Sequence, residues 1–133
     1  MRLETRLKCL ACEKELSQAN RKFCSNRCCS LYYYHRYIER WKAGAESGLQ
    51  KPYGISNHVR RYLIEKYGEK CSRCGWCERN QTTGRVPLNV DHIDGDWRNC
   101  AEENLTLLCP NCHSLTPTYG ALNKGRGRTK RYS

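Results

Sequence analysis

The chain has 133 residues, with 24 Lys and Arg against 13 Asp and Glu for a net charge of +11, and it carries 11 Cys. That length suits one ordinary domain or two small ones, and modules so small need staples beyond their apolar cores. The start, Met1 to Lys8, lacks an apolar run, and no segment is long enough to span a bilayer, which argues against a secreted or membrane protein. An odd number of cysteines set partly in Cys-x2-Cys pairs then predicts zinc in a reducing, cytoplasmic setting rather than a disulfide framework. The basic excess attracts polyanions, and together with zinc modules it points to nucleic acid.

Both halves are basic: residues 1–50 hold ten basic and five acidic side chains, and residues 51–133 hold fourteen and eight. The chain divides into an N-terminal module with a following helix (1–43), a linker (44–54) rich in Gly and Ala, a second domain (55–124) and a basic tail (125–133). In the first module, Cys9 and Cys12 pair with Cys24 and Cys28, and four thiolates so spaced can close a tetrahedral zinc site. Cys29 is expected outside that shell. Leu31, Tyr34, Ile38 and Trp41 recur at i, i+3, i+7 and i+10, predicting a helix over 30–42. Arg36, Arg40 and Lys42 are left to solvent or phosphates.

In the second domain Ser56 is a good N-cap for a helix reaching about Tyr67. Val59, Leu63 and Tyr67 are expected inward, Arg60, Arg61 and Lys66 outward, and Gly68 stops the helix. Leu88-Asn89-Val90 and Leu105-Thr106-Leu107 alternate with period two and read as paired strands. The loop between them is long for a hairpin, so it is expected to do more than connect. Pro110 suits the first turn of a short helix. The tail from Lys124 to Arg131 is basic and glycine-rich, which fits a disordered arm for nucleic acid.

Two further pairs, Cys71/Cys74 and Cys109/Cys112, can grip one ion from a knuckle and from a helix start. Cys77 and Cys100 are read as idle or buried thiols. His113 follows Cys112, and successive helical positions diverge by about 100°. If Cys112 faces the metal, His113 faces elsewhere, and the end of the strand bearing Asp91 and His92 is a nearby target. A carboxylate such as Asp91 is a hard ligand for a divalent cation, and a neutral imidazole such as His92 can accept a proton from water. Neighbours on a regular strand point to opposite faces, so pleating is expected to fail at this pair, through a strand end or a bulge.

Asp91-His92, Asn104 and His113, flanked by the two cysteine pairs, resemble the HNH nucleases with a ββα-metal fold, over roughly residues 55–124. The resemblance implies a small zinc-stabilised α+β protein, treble-clef-like in its nuclease domain. It implies that His92 is the general base and that Asp91 and His113 hold one catalytic divalent cation, commonly Mg²⁺. Asn104 would brace the loop that positions His92. The implied products carry 5′-phosphate and 3′-hydroxyl ends. Phe23-Cys24-Ser25 is similar to small treble-clef zinc fingers. Arg98, Lys124, Arg126 and Arg128 are candidates for DNA contacts.

The function expected is therefore a metal-dependent endonuclease acting on double-stranded DNA, of a phage or homing type. The alternative is a non-catalytic zinc-dependent DNA-binding protein on the same frame. Nine tyrosines able to stack on unpaired bases keep an RNA partner open, and the N-terminal module leaves a protein partner open. Cutting both strands needs a homodimer or two sequential events, because each chain would carry one active site.

Overall fold

The computed structural model describes residues 8–18, 21–50 and 54–123. The chain separates into two compact units, Met1–Arg40 and Trp41–Ser133. It is a small α+β protein, and each unit holds a four-cysteine cluster able to take a metal ion.

In the first unit an antiparallel bridge, Lys8 with Glu15, brackets the first cysteine pair. The turn is tight: the Cys9 amide donates to Lys14 O at 2.8 Å, and Glu13 adopts a left-handed φ of 64°. Helix α1, Asn26–Lys42, starts four residues earlier than its apolar periodicity suggests. The reason is local capping. Ser25 Oγ accepts from the Cys28 amide at 3.2 Å and Ser25 O accepts from the Cys29 amide at 3.1 Å, so the second cysteine pair straddles the helix start. Tyr34, Ile38 and Trp41 are buried as the periodicity requires. Phe23 packs edge-on and tilted against Tyr33 and Tyr32.

The second unit begins at Trp41, ahead of the stretch read as a linker, which itself carries paired strands. Strands β1, Leu49–Gln50, and β2, Gly54–Ile55, pair antiparallel there. Helix α2, Asn57–Tyr67, follows with Ser56 as its cap, whose side chain accepts from the His58 amide at 3.1 Å. Val59 and Leu63 are fully buried, each worth about 1.5–3 kcal/mol of apolar transfer. Tyr67 departs from expectation and is exposed. Eight residues at 100° each carry it about 80° round the helix from Val59, off the core face. Tyr62 turns inward instead and meets the Trp41 ring edge-on at 5.6 Å. Gly68, at φ 88°, ends the helix by donating to Ile64 O.

Strands β3, Asn89–His92, and β4, Leu105–Leu108, form the expected antiparallel pair. Helix α3, Pro110–Ser114, packs on both strands, and α2 packs on β4. Leu105, Leu107 and Leu108 of β4 are buried with Val86 and Leu88. The buried apolar side chains thus gather on β4 and on the segment leading into β3. Among the described residues no helix is long and apolar enough to cross a membrane.

Candidate active site and metal centres

In the second unit, Cys71 and Cys74 sit on a knuckle closed by the Gly75 amide donating to Cys71 O, with Gly75 at φ 82°. The Ser72 amide donates to Leu107 O at 2.8 Å, tying the knuckle to β4. Cys109 caps α3, its sulfur accepting from the Cys112 amide at 3.4 Å, and Pro110 occupies the first turn. The four ligand atoms lie within 4.8 Å of one another, with Cys74 Sγ 3.8 Å from Cys109 Sγ. Burial raises the Cys71 pKa, but amides of Cys109, Cys74 and Arg73 outweigh it and bring the thiol down to about 6. Burial, reinforced by the neighbouring sulfurs, pushes Cys112 up to about 12. Thiolates so crowded repel one another, and a cation among them relieves that repulsion.

Cys9, Cys12, Cys24 and Cys28 gather in the same way in the first unit. Cys12 and Cys28 each place their sulfur 3.6 Å from that of Cys24. Cys29 lies outside this set and Cys77 is an exposed thiol.

α3 also aims His113. The ring stands edge-on to Tyr119 at 5.2 Å, and Nδ1 lies 3.2 Å from Asp91 Oδ1. That separation falls in ion-pair range, yet the buried Nδ1 has no aligned hydrogen-bond partner. Two ligand-type atoms that converge without bonding each other fit a shared cation. Burial pushes the Asp91 carboxyl above its usual range, although His113 and His92 pull it back. A cation would reverse that shift by favouring the charged carboxylate.

Of the two ways expected for the pleat to stop at Asp91 and His92, the structure shows the strand end: the register runs evenly, Asp91 opposite Thr106 and His92 opposite Leu105. No bulge is needed because β3 ends at His92. Asp91, His92 and His113 all line one cleft of about 800 Å³, with Arg60, Trp97 and Tyr119. Arg60, expected outward, is half-buried: its Nη1 donates to Leu88 O at 3.1 Å, and burial lowers its pKa. The apolar stem and the carbonyl partner explain why an arginine can line this wall.

Asn104 stays behind the cleft and holds the loop after β3. Its Oδ1 accepts from the Asp94 amide at 3.0 Å, and its Nδ2 donates to Asp94 Oδ1 at 2.9 Å and Asn99 O at 2.8 Å. Its carbonyl accepts from the Ile93 amide, next to His92. Sequence reasoning passed over Asp94 and Asn99, which complete the lattice through Asn99 Nδ2 donating to Asp94 Oδ2. The Asp94-Gly95 turn dipeptide was the available signal. Gly95 has φ 79°, and a Cβ there would fall 2.6 Å from Asn123 Oδ1.

Arg98 is exposed beside Asp96 and over the Trp97 ring, and is not among the residues lining the cleft. Lys124, Arg126 and Arg128 lie outside the described residues. Cys100, read as an idle or buried thiol, is buried and places Sγ 3.4 Å from His92 Nε2.

No protein-family model matches the chain, and no solved structure matches it. One curated relative is the H-N-H endonuclease F-TflIV of Escherichia phage T5, 45% identical over 97 residues. That similarity covers 68% of this chain, which spans about 40% of the relative's length. The chain is thus similar to a phage enzyme that carries the H-N-H name, and its own Asp91, His92 and His113 line one cleft.

Proposed function

We propose that this chain is a metal-dependent HNH endonuclease that hydrolyses DNA phosphodiester bonds on a ββα-metal scaffold formed by β3, β4 and α3. One observation carries the reading: Asp91 Oδ1 and His113 Nδ1 converge to 3.2 Å without a hydrogen bond, in the same cleft as His92. Those two side chains would hold one divalent cation, Mg²⁺ by the family resemblance. When bound, the ion supplies charge neutralisation for a phosphate oxygen and the departing 3′ oxygen. His92 accepts the proton of the attacking water, a role worth about 10²–10⁴-fold in rate. Asn104 and Asp94 hold the loop that presents His92. The products would carry 5′-phosphate and 3′-hydroxyl ends.

The cysteine clusters would take structural zinc. A tetrahedron with Zn–S bonds of about 2.3 Å has edges of about 3.8 Å, and the observed sulfur separations are 3.6 and 3.8 Å. The first unit would be a treble-clef-like finger that adds DNA contacts. The net charge of +11 supports a polyanionic substrate. The relative's phage source supports a phage or mobile-element setting.

The test is cleavage of supercoiled plasmid with Mg²⁺, against EDTA and against His92→Ala. Cleavage that needs the cation and His92 is expected. Tight duplex binding with no cleavage under any divalent metal would overturn this and favour the non-catalytic reading.

A further inference from the structure

Cys100 belongs to neither cysteine cluster and has no part in the reaction proposed above. It is nonetheless buried, at 3% exposure, and its sulfur touches the ring of His92. We propose that Cys100 is a positioning residue for His92: its sulfur accepts the Nε2 proton, so that Nδ1 is the nitrogen that takes the proton from water. The consequence for rate rests on the endonuclease reading, whereas the tautomer stands on the contact itself.

The directions of the hydrogen bonds carry the argument. Cys100 Sγ lies 3.5 Å from Trp97 O and 3.4 Å from His92 Nε2. A carbonyl can only accept, so a thiol proton directed at Trp97 O leaves the sulfur's lone pairs for Nε2. In that arrangement the sulfur meets Nε2 with its lone pairs, and Nε2 carries the hydrogen. Neutral imidazole has one N–H, which leaves Nδ1 as its basic atom. Burial, and secondarily Asp96, pushes the Cys100 pKa up to about 11, so the thiol keeps its proton.

The sulfur is also held from behind. The Trp41 indole donates to Cys100 O at 2.8 Å, a buried bond across 59 positions of sequence. Gly48 closes the same spot at φ 83°, where a Cβ would lie 2.9 Å from Trp41 Nε1 and 3.0 Å from Cys100 Cβ. A mere space-filler needs no such orientation. A filler would also accept Val in place of Cys and suffer from Ser, because a buried hydroxyl costs free energy that a methyl does not. A positioning sulfur predicts the opposite order.

The experiment uses the full chain loaded with zinc and labelled with ¹⁵N-histidine. Long-range ¹H–¹⁵N spectra at pH 8, with His92→Gln for assignment, report which nitrogen of His92 holds the proton. The expected result is Nε2–H in the parent, with Nδ1–H gaining population in Cys100→Val. In plasmid cleavage, Cys100→Val should lower kcat by about tenfold or more with little change in KM, as loss of a base's alignment does. Cys100→Ser should recover most of that rate, since a hydroxyl also accepts, and melting curves show that each variant is folded. An Nδ1–H parent, or a Val variant that keeps both tautomer and kcat, overturns the proposal. A parent that cuts no plasmid with any divalent cation defeats the endonuclease reading instead, and the spectrum still decides the tautomer.

Discussion

At the scale of single residues, function is divided between atoms that touch the reaction and atoms that hold those in place. His92→Ala should reduce plasmid cleavage at least 100-fold, the lower end of what a positioned base contributes. Its melting curve should stay close to the parent's, because His92 belongs to neither cysteine cluster. A variant that cuts at the parent's rate would remove His92 as the base. His113→Ala should weaken binding of Mn²⁺ or Mg²⁺ in calorimetry while any metal held by the cysteine clusters is retained, and an unchanged isotherm would count against His113 as a ligand. Asn104 acts at one remove: it holds the backbone at both Ile93 and Asp94. Asn104→Ala takes the side-chain acceptor from the Asp94 amide and one donor from the Asp94 carboxylate, a loss of about 1–3 kcal/mol if water does not replace it. Amide hydrogen exchange in the 93–104 loop would show the effect, and protection equal to the parent's would refute it.

At the scale of elements, α2 ties the sheet to the loop after β3. Its cap is testable: Ser56→Ala should cost about 1 kcal/mol in urea denaturation, with an unchanged midpoint as the contrary result. Its far end is anchored by Glu102, which accepts from Lys66 Nζ at 2.6 Å and Tyr62 OH at 2.8 Å. Lys66 is the main cause of a Glu102 pKa below the ordinary carboxylate value, against partial burial and with help from Tyr62. A depressed native pKa stabilises above the unfolded value, and that contribution fades as pH falls through the native one. Glu102→Gln should therefore be less stable than the parent at pH 7, with the gap closing in acid. A gap that persists at pH 2.5 would assign the effect to shape rather than charge.

At the scale of the whole molecule, each compact unit carries one four-cysteine cluster. Cys109→Ser should unfold the second unit, because a structural metal contributes folding free energy directly. Circular dichroism that matches the parent's would take Cys109 out of the site. The cysteine pairs, both helices of the second unit's frame and the β3–β4 pairing were legible in the sequence because each rests on short-range rules: ligand spacing, capping, and periods of 3.6 and 2. The start of α1 was missed because Ser25 caps it ahead of its apolar stripe, and Tyr67 because drift accumulates round a helix. What the sequence by itself determined was the set of chemical groups and their local elements. Only the tertiary structure decided that His113 meets Asp91, that Arg60 turns to the cleft and that Cys100 reaches His92. Those contacts join residues far apart along the chain, and their geometry depends on how the strands, the loop and α3 pack, which no local pattern encodes.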